Sequence, residues 1–435
     1  MILEQKINFQ LNKYPCIKRM VKRGYQLVMY ALSPKIKSDG DIERISPLYS
    51  GHDYLFGYYD KSPWDGKGEN IICLRVDKAW KNPDPIEGAD ILNINLNVNA
   101  NLNQGDAGEN VKVGNKVRVL ATSHTWNVQQ GCMMQWLGPD FSSRVLYNDM
   151  RDGKYCSVIV DIKSGEEKIL PMPVYTVSAD GKTALTLDFS RLHNLRPGYG
   201  YAALPEKTKG VALPDETCIW KMDVETGEVT PLFKYTDFAK FEPRPEMLEA
   251  GSVHKVNHLM LSPNGKRFMV LYRWYCGQRK YTRLITCNID GTDMYLLSDD
   301  DMVSHCYWKD DEHIIAFENK HGEGTGYYLM KDKTQEYQHL WPQLSNDGHP
   351  SYCPTDNSLV VFDTYPDRAR IQEVKIARDT DVEGKDIKVL ARVFAPFKYD
   401  NDTRCDLHPR WSRDGKKICF DACFEGHRGL YVVNV

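Results

Sequence analysis

The sequence has no long apolar run. Nothing in it approaches the ~20 consecutive apolar residues that cross a bilayer as a helix, which excludes an integral helical membrane protein. It also has no excess of charge. Its 56 Lys and Arg stand against 59 Asp and Glu, a formal net charge of −3. That balance excludes a nucleic-acid binder working through a global basic field. C-x-x-C pairs are absent, and the 12 Cys lie scattered from Cys16 to Cys423. The opening MILEQKINFQ has neither the basic n-region nor the apolar h-region of a secretory signal. Scattered thiols without an export signal imply reduced, mostly buried cysteines, so the expectation is a cytoplasmic protein.

What is present is an ordinary globular composition, 42% hydrophobic and 26% charged. Aromatic residues make up 11%, a richness that accompanies β-structure and flat ligand surfaces. A length of 435 residues suggests two to four domains at roughly 100–200 residues each.

Residues 1–40 differ from the rest, with eight Lys and Arg against Glu4 and Asp39. Ile17, Met20, Val21, Leu27, Val28 and Ala31 fall at helical spacing with basic residues opposite. Two readings fit this leader, residues 1–44. Either it caps the domain with its basic face solvated, or it touches a partner or an anionic membrane surface, placing the protein peripherally at the inner membrane.

Internal repetition changes the domain count. A turn of the S-P-D-G type precedes a β-rich run seven times, with anchors at Asp65, Asp140, Asp180, Asn264, Asp310, Asp356 and Asp414. Asp-Gly and Asn-Gly suit tight hairpins because both residues tolerate positive φ. The anchors from Asn264 through Asp310 to Asp356 are spaced by 46 and 46 residues, the length of a four-stranded propeller blade. The longer gaps, 65 to 140 and 180 to 264, imply insertions. The expectation is therefore an all-β fold: a short N-terminal helical segment, then one seven-bladed β-propeller over residues 45–435. Within the first gap, residues 92–103 alternate apolar residues with Asn at period two, a strand with one Asn face. Such a tract is either a low-complexity protrusion or a ladder for carbohydrate hydroxyls.

The repeat brings four histidines into register. His258, His305, His349 and His408 lie six, five, seven and six residues before their anchors, in four consecutive units. Equivalent positions converge on the axis of a closed ring. Neutral imidazoles there, with Asp406 or a Gln nearby, would suit a divalent metal, Zn or Mn. Cys306 and Cys405 lie close in sequence, and a thiolate would favour zinc. The alternative is four channel histidines bonded to water or neighbouring carbonyls.

A second group lies in the first half: Trp126, Asn127, Gln129 and Gln130, then Arg151, then a loop with His193, Arg196, Tyr199 and Tyr201. A loop bearing Arg, His and two Tyr suits an anionic sugar, because Arg forks a carboxylate and Tyr stacks or exchanges a proton. The alternative is a packed loop.

These residues are similar to a known group. HPSYCPTD at 349–356 and RCDLHPRWSRDGKKICFD at 404–421 resemble blades of the oligogalacturonate lyase and ulvan lyase propellers, which carry TolB-like repeats. HDYLFGYYDKSPW at 52–64, VNHLMLSPNGKRF at 256–268 and DMVSHCYWKDDEHIIAF at 301–317 extend the resemblance. It implies β-elimination on uronate-containing oligo- or polysaccharides. There a metal or Arg neutralises the uronate carboxylate, a Tyr or His takes the C5 proton, and an acid assists the leaving oxygen. Carried over, His258, His349 and His408 match the metal-type positions, Tyr199 or Tyr201 the base, and Arg196 the neutralising group. The family's catalytic His in early blades is replaced by Gln129 and Gln130, leaving His124 and His193 as early substitutes. The contrasting expectation is a non-catalytic propeller that binds sugar or protein beside polysaccharide-assembly machinery at the membrane.

Overall fold

The computed structural model describes residues 15–48, 51–97 and 116–435. The second half of the Asn-alternating tract, residues 98–103, and the first 14 residues lie outside these. The chain forms a seven-bladed β-propeller preceded by one helix, Pro15–Leu32.

Each of seven sheets is an antiparallel meander. Blade 1 begins at Asp53–Leu55, blade 2 at Gln135–Trp136, blade 3 at Thr176–Val177 and blade 4 at Val253–Leu261. Blade 5 begins at Val303–Trp308, blade 6 at Ser351–Cys353 and blade 7 at Arg410–Trp411. Those first strands of blades 3 to 7 touch one another in succession, which places them around the axis. All seven anchor turns join first strand to second, as the sequence pattern requires.

The turn geometry explains the motif. In the third copy the Ser178 hydroxyl donates to Asp180, the Gly181 amide donates to the Ser178 carbonyl, and Gly181 has φ +75°. The copies at Ser262 and Ser412 repeat these bonds, so serine, acid or amide, and glycine each hold one part of the hairpin.

The ring closes through its leader. Glu43–Arg44 pairs with Gly429–Asn434 as the outermost strand of blade 7. Ser38–Asp39 adds a fifth strand to blade 6. Both strands precede residue 45. The leader is thereby knitted into blades 6 and 7, and blade 7 combines its outermost strand from the leader with three strands from the end of the propeller. The blades pack face to face through buried aliphatic and aromatic side chains, with Trp64, Trp274 and Trp341 among the largest fully buried groups. The insertion after Asp180 includes Phe189–Leu195, a short helix N-capped by the Asp188 carboxylate. It ends at Arg196, before Pro197.

Candidate functional site

His258 and His305 lie at register breaks within the first strands of blades 4 and 5, while His349 and His408 lie two residues before the first strands of blades 6 and 7. His258 sits in a bulge between the pairs Asn257–Leu271 and Met260–Met269, with φ +56°. His408 has φ +45°. A non-glycine residue held there costs of order 1–3 kcal/mol, and such strain concentrates at functional sites. The four expected rings do converge. His305 and His349 have centroids 4.0 Å apart, and His349 and His408 4.3 Å. His258 joins them through Tyr58 and Tyr59, whose hydroxyls lie 3.3 Å from its two ring nitrogens.

Convergence does not make the four equivalent. His258 Nε2 donates to the Cys306 carbonyl at 2.9 Å, leaving Nδ1 to accept from Tyr58. Burial, then repulsion from His305, pushes this imidazole down to about 3. His305 donates from Nδ1 to Asp347 at 3.0 Å. The donor atoms that come together are those of His349, Asp406 and His408, all within 4.8 Å of one another. Metal-type geometry thus falls on two of the four expected histidines plus Asp406; His258 and His305 stand beside it. No thiol joins the group. Cys306 is buried, and burial pushes its thiol up.

The same three residues pass a chemical test for a metal. His349 donates Nδ1–H to Asp363 at 2.8 Å, and His408 donates Nδ1–H to the Gly57 carbonyl at 2.8 Å. Each therefore turns an Nε2 lone pair inward, and both Nε2 atoms are buried without a partner. Asp363 also accepts the backbone amides of His349 and His408, so one carboxylate positions both. Second-partner bonds of this kind fix the tautomer of metal-binding histidines. Burial works against ionisation of Asp406, yet the Arg404 charge outweighs it and holds the carboxyl below its usual range. Two imidazoles and one carboxylate suit Mn²⁺ or Zn²⁺.

A cavity of about 280 Å³ is lined by Lys22, Gln129, Arg196, Tyr199, Asp400, Asp402 and Arg404, among others. Arg404 links it to the His349–Asp406–His408 group, because the same guanidinium hydrogen-bonds Asp406. Arg196 lies over the Tyr199 ring at 4.2 Å, and Tyr199 packs edge-on against Tyr58 at 6.3 Å. Tyr201, two residues on, goes elsewhere. It is buried on Phe189 at 4.5 Å, and its hydroxyl accepts from Asn148. Gly200 produces the divergence: at φ +62°, a Cβ there would lie 2.3 Å from the Phe189 carbonyl oxygen.

The remaining expected residues are mostly scaffold. Asn127 accepts the amides of Gln129 and Gln130 and donates to the Gly200 carbonyl. Gln129 donates to the carbonyls of Asp402 and Arg404, holding the cavity wall. Gln130 donates to Tyr175, and Trp126 to the Glu87 carbonyl. Arg151 is paired with Asp149 and Glu167, away from this wall. His193 is half-buried with Nδ1 3.2 Å from the Tyr199 carbonyl, and burial lowers its pKa.

Sequence motifs gave no sign of a basic group that neighbours Arg196. Lys255 and Arg273 are buried at directly paired positions in blade 4. Among the described residues neither forms an ion pair, and Lys255 Nζ and Arg273 Nε and Nη1 have no hydrogen-bond partner. Burial, then repulsion from Arg273 and Arg196, lowers the Lys255 ammonium. Burial, then repulsion from Arg196, lowers Arg273. Lys280 is pushed down to about 7, first by the Arg273 charge and then by desolvation.

A larger cavity, about 460 Å³, opens at the hairpin end of the axis and is lined by Trp136, Trp308, Tyr352 and Trp411. Tyr59 lines it and also contacts His258 and His349. None of the four histidines lines it.

No family model and no curated protein matches the sequence. Solved structures do share the architecture. Oligogalacturonate lyase from Vibrio parahaemolyticus is 12% identical, with a TM-score of 0.60 over 92% of this chain and 97% of that one. An oligogalacturonate lyase in complex with manganese is 15% identical, with a TM-score of 0.61 over 92% and 97%. The β-propeller domain of the Trilobed protease from Pyrococcus furiosus is 12% identical, with a TM-score of 0.50 over 88% and 95%. These likenesses show the fold, which is that of the oligogalacturonate lyases.

Proposed function

We propose that this propeller acts on uronate-containing oligosaccharides by β-elimination. The observation that carries the reading is the set of cations without anions. Lys255 and Arg273 are buried unpaired beside Arg196. Unpaired buried charges are costly, and an anionic ligand offsets that cost on binding. A sugar bearing carboxylates supplies such charge at saccharide spacing. Shared architecture with an oligogalacturonate lyase that holds manganese supports the same reading at the level of the fold.

In this proposal Arg273 and Lys255 neutralise the uronate carboxylate and so acidify C5–H. Tyr199 faces the cavity, and as the phenolate, stabilised by the Arg196 guanidinium over its ring, it takes the C5 proton and is left as the neutral phenol. Lys280, with its ammonium near neutrality, donates a proton to the leaving oxygen. His349, Asp406 and His408 would hold a divalent metal, which supplies Lewis-acid polarisation of a bound carboxylate. Tyr201 has no part in it, being packed in the core.

The test is ultraviolet absorbance of the unsaturated uronate product with oligogalacturonate, ulvan and glucuronan, with and without Mn²⁺. Product from one of them supports the lyase reading. Calorimetric binding without product on any would overturn elimination and leave the alternative, a non-catalytic sugar-binding propeller. Neither binding nor product would overturn both.

A further inference from the structure

The leader helix Pro15–Leu32 is docked on its polar side. Arg23 reaches Asp400 at 3.1 Å and lies over the Phe397 ring, and Tyr30 packs on Phe394 and Phe397. Of the side chains described in the helix, Arg23, Gln26, Met29 and Tyr30 are half-buried and the others exposed. At 100° per residue Arg23, Gln26 and Tyr30 share one face. Ile17, Val21, Gly24, Val28 and Leu32 run down the opposite face, toward solvent. Met20 is 75% exposed and Leu32 77%. A helix that served only to cap the ring would turn this stripe inward, because burying apolar surface is its main source of stability.

Charge identifies what covers the stripe. From Pro15 to Ser38 the sequence has no acidic residue, while Lys18, Arg19, Lys22, Arg23, Lys35 and Lys37 supply six basic ones. Lys22, Lys35 and Lys37 are exposed. A second copy of the chain would bring the same positive charge against itself. An anionic bilayer complements both features, taking the apolar stripe into the acyl boundary and the lysines at its headgroups. Among the described residues no helix is long and apolar enough to cross a membrane, so this one would lie in the interface.

We propose that Pro15–Leu32 is an interfacial helix that holds the propeller on an anionic lipid surface. Because Lys22 also lines the cavity shared by Arg196, Tyr199 and Arg404, docking would set that cavity's mouth beside the headgroups.

The experiment is co-sedimentation of the full chain with vesicles of phosphatidylcholine alone and of phosphatidylcholine with phosphatidylglycerol. Binding is expected to the anionic vesicles only and to weaken with salt. Val21→Asp with Val28→Asp should reduce it ~10-fold or more, and Lys35→Gln with Lys37→Gln severalfold. An unchanged thermal unfolding midpoint in these variants would show an intact ring. As a second readout, Val28→Trp should shift its fluorescence to the blue on adding anionic vesicles. Equal partitioning of wild type and the Val21/Val28 variant would overturn the proposal. So would a wild-type dimer in light scattering that the same variant dissociates, since the stripe would then be a self-interface.

Discussion

Lys255 and Arg273 face each other across the first two strands of blade 4, and no carboxylate pairs with either among the described residues. Two like charges directly opposite in a sheet repel, and burial adds a desolvation cost to each. We expect Lys255→Met and Arg273→Met each to raise the unfolding midpoint of the free protein. Each should also weaken oligogalacturonate binding by ~10–100-fold, measured by calorimetry. A fall in midpoint for both variants would show that these cations have a stabilising partner instead.

Asp363 is expected to control metal affinity although it lies outside the donor group. It accepts the Nδ1–H of His349 and the amide of His408. Losing such a support typically costs 10–100-fold in affinity. Asp363→Asn should therefore weaken Mn²⁺ binding by roughly that factor in a calorimetric titration. Asp347→Asn touches only the His305 side and should leave affinity within about twofold. Equal losses in both variants would move His305 into the binding group.

The ring was legible in the sequence because its information is local. Ser178, Asp180 and Gly181 define a hairpin within a few residues, and seven copies at blade spacing specify the architecture. The histidine register followed from the same anchors. What escaped depends on contacts distant along the chain. The Lys255–Arg273 pairing joins residues on different strands, with no motif marking either one. Tyr199 and Tyr201 look interchangeable as letters, yet the backbone at Gly200 sends one to the cavity and the other onto Phe189. The closing strand Glu43–Arg44 is two residues long, too short for any periodicity to reveal.

Acid should destabilise the protein through its buried neutral histidines. His254 is wholly buried, donating from Nε2 to the Met247 carbonyl and accepting the Tyr272 hydroxyl at Nδ1. Burial pushes it down to about 4 from a usual value of 6.5. A depressed folded value means the unfolded chain takes up the proton first. The stability contribution is thus complete above pH 6.5 and is lost as pH falls toward 4. Its full size is on the order of 3 kcal/mol. Urea unfolding at pH 7.5, 6, 5 and 4 should show a steeper decline for wild type than for His254→Gln. Parallel curves would exclude His254 as a source of acid lability.

Gly57→Ala should damage fold and metal centre together. Gly57 has φ +128°, and a Cβ there would lie 2.5 Å from the Gln130 carbonyl oxygen. Gln130 cannot easily withdraw, since its amide donates to Asn127 and its side chain to Tyr175. The Gly57 carbonyl in turn accepts from His408 Nδ1 and from Arg410. Displacing this peptide removes the bond that turns His408 Nε2 inward. We expect a loss of stability of ~3 kcal/mol or more and Mn²⁺ binding at least tenfold weaker. Gly153→Ala is the comparison, because Gly153 has φ +71° with nothing within 4 Å of its Cβ position. That variant bears only the cost of a left-handed backbone, about 1–2 kcal/mol, and should keep full Mn²⁺ affinity. If Gly57→Ala lost stability but bound Mn²⁺ as tightly as wild type, the Gly57 carbonyl would not be what orients His408.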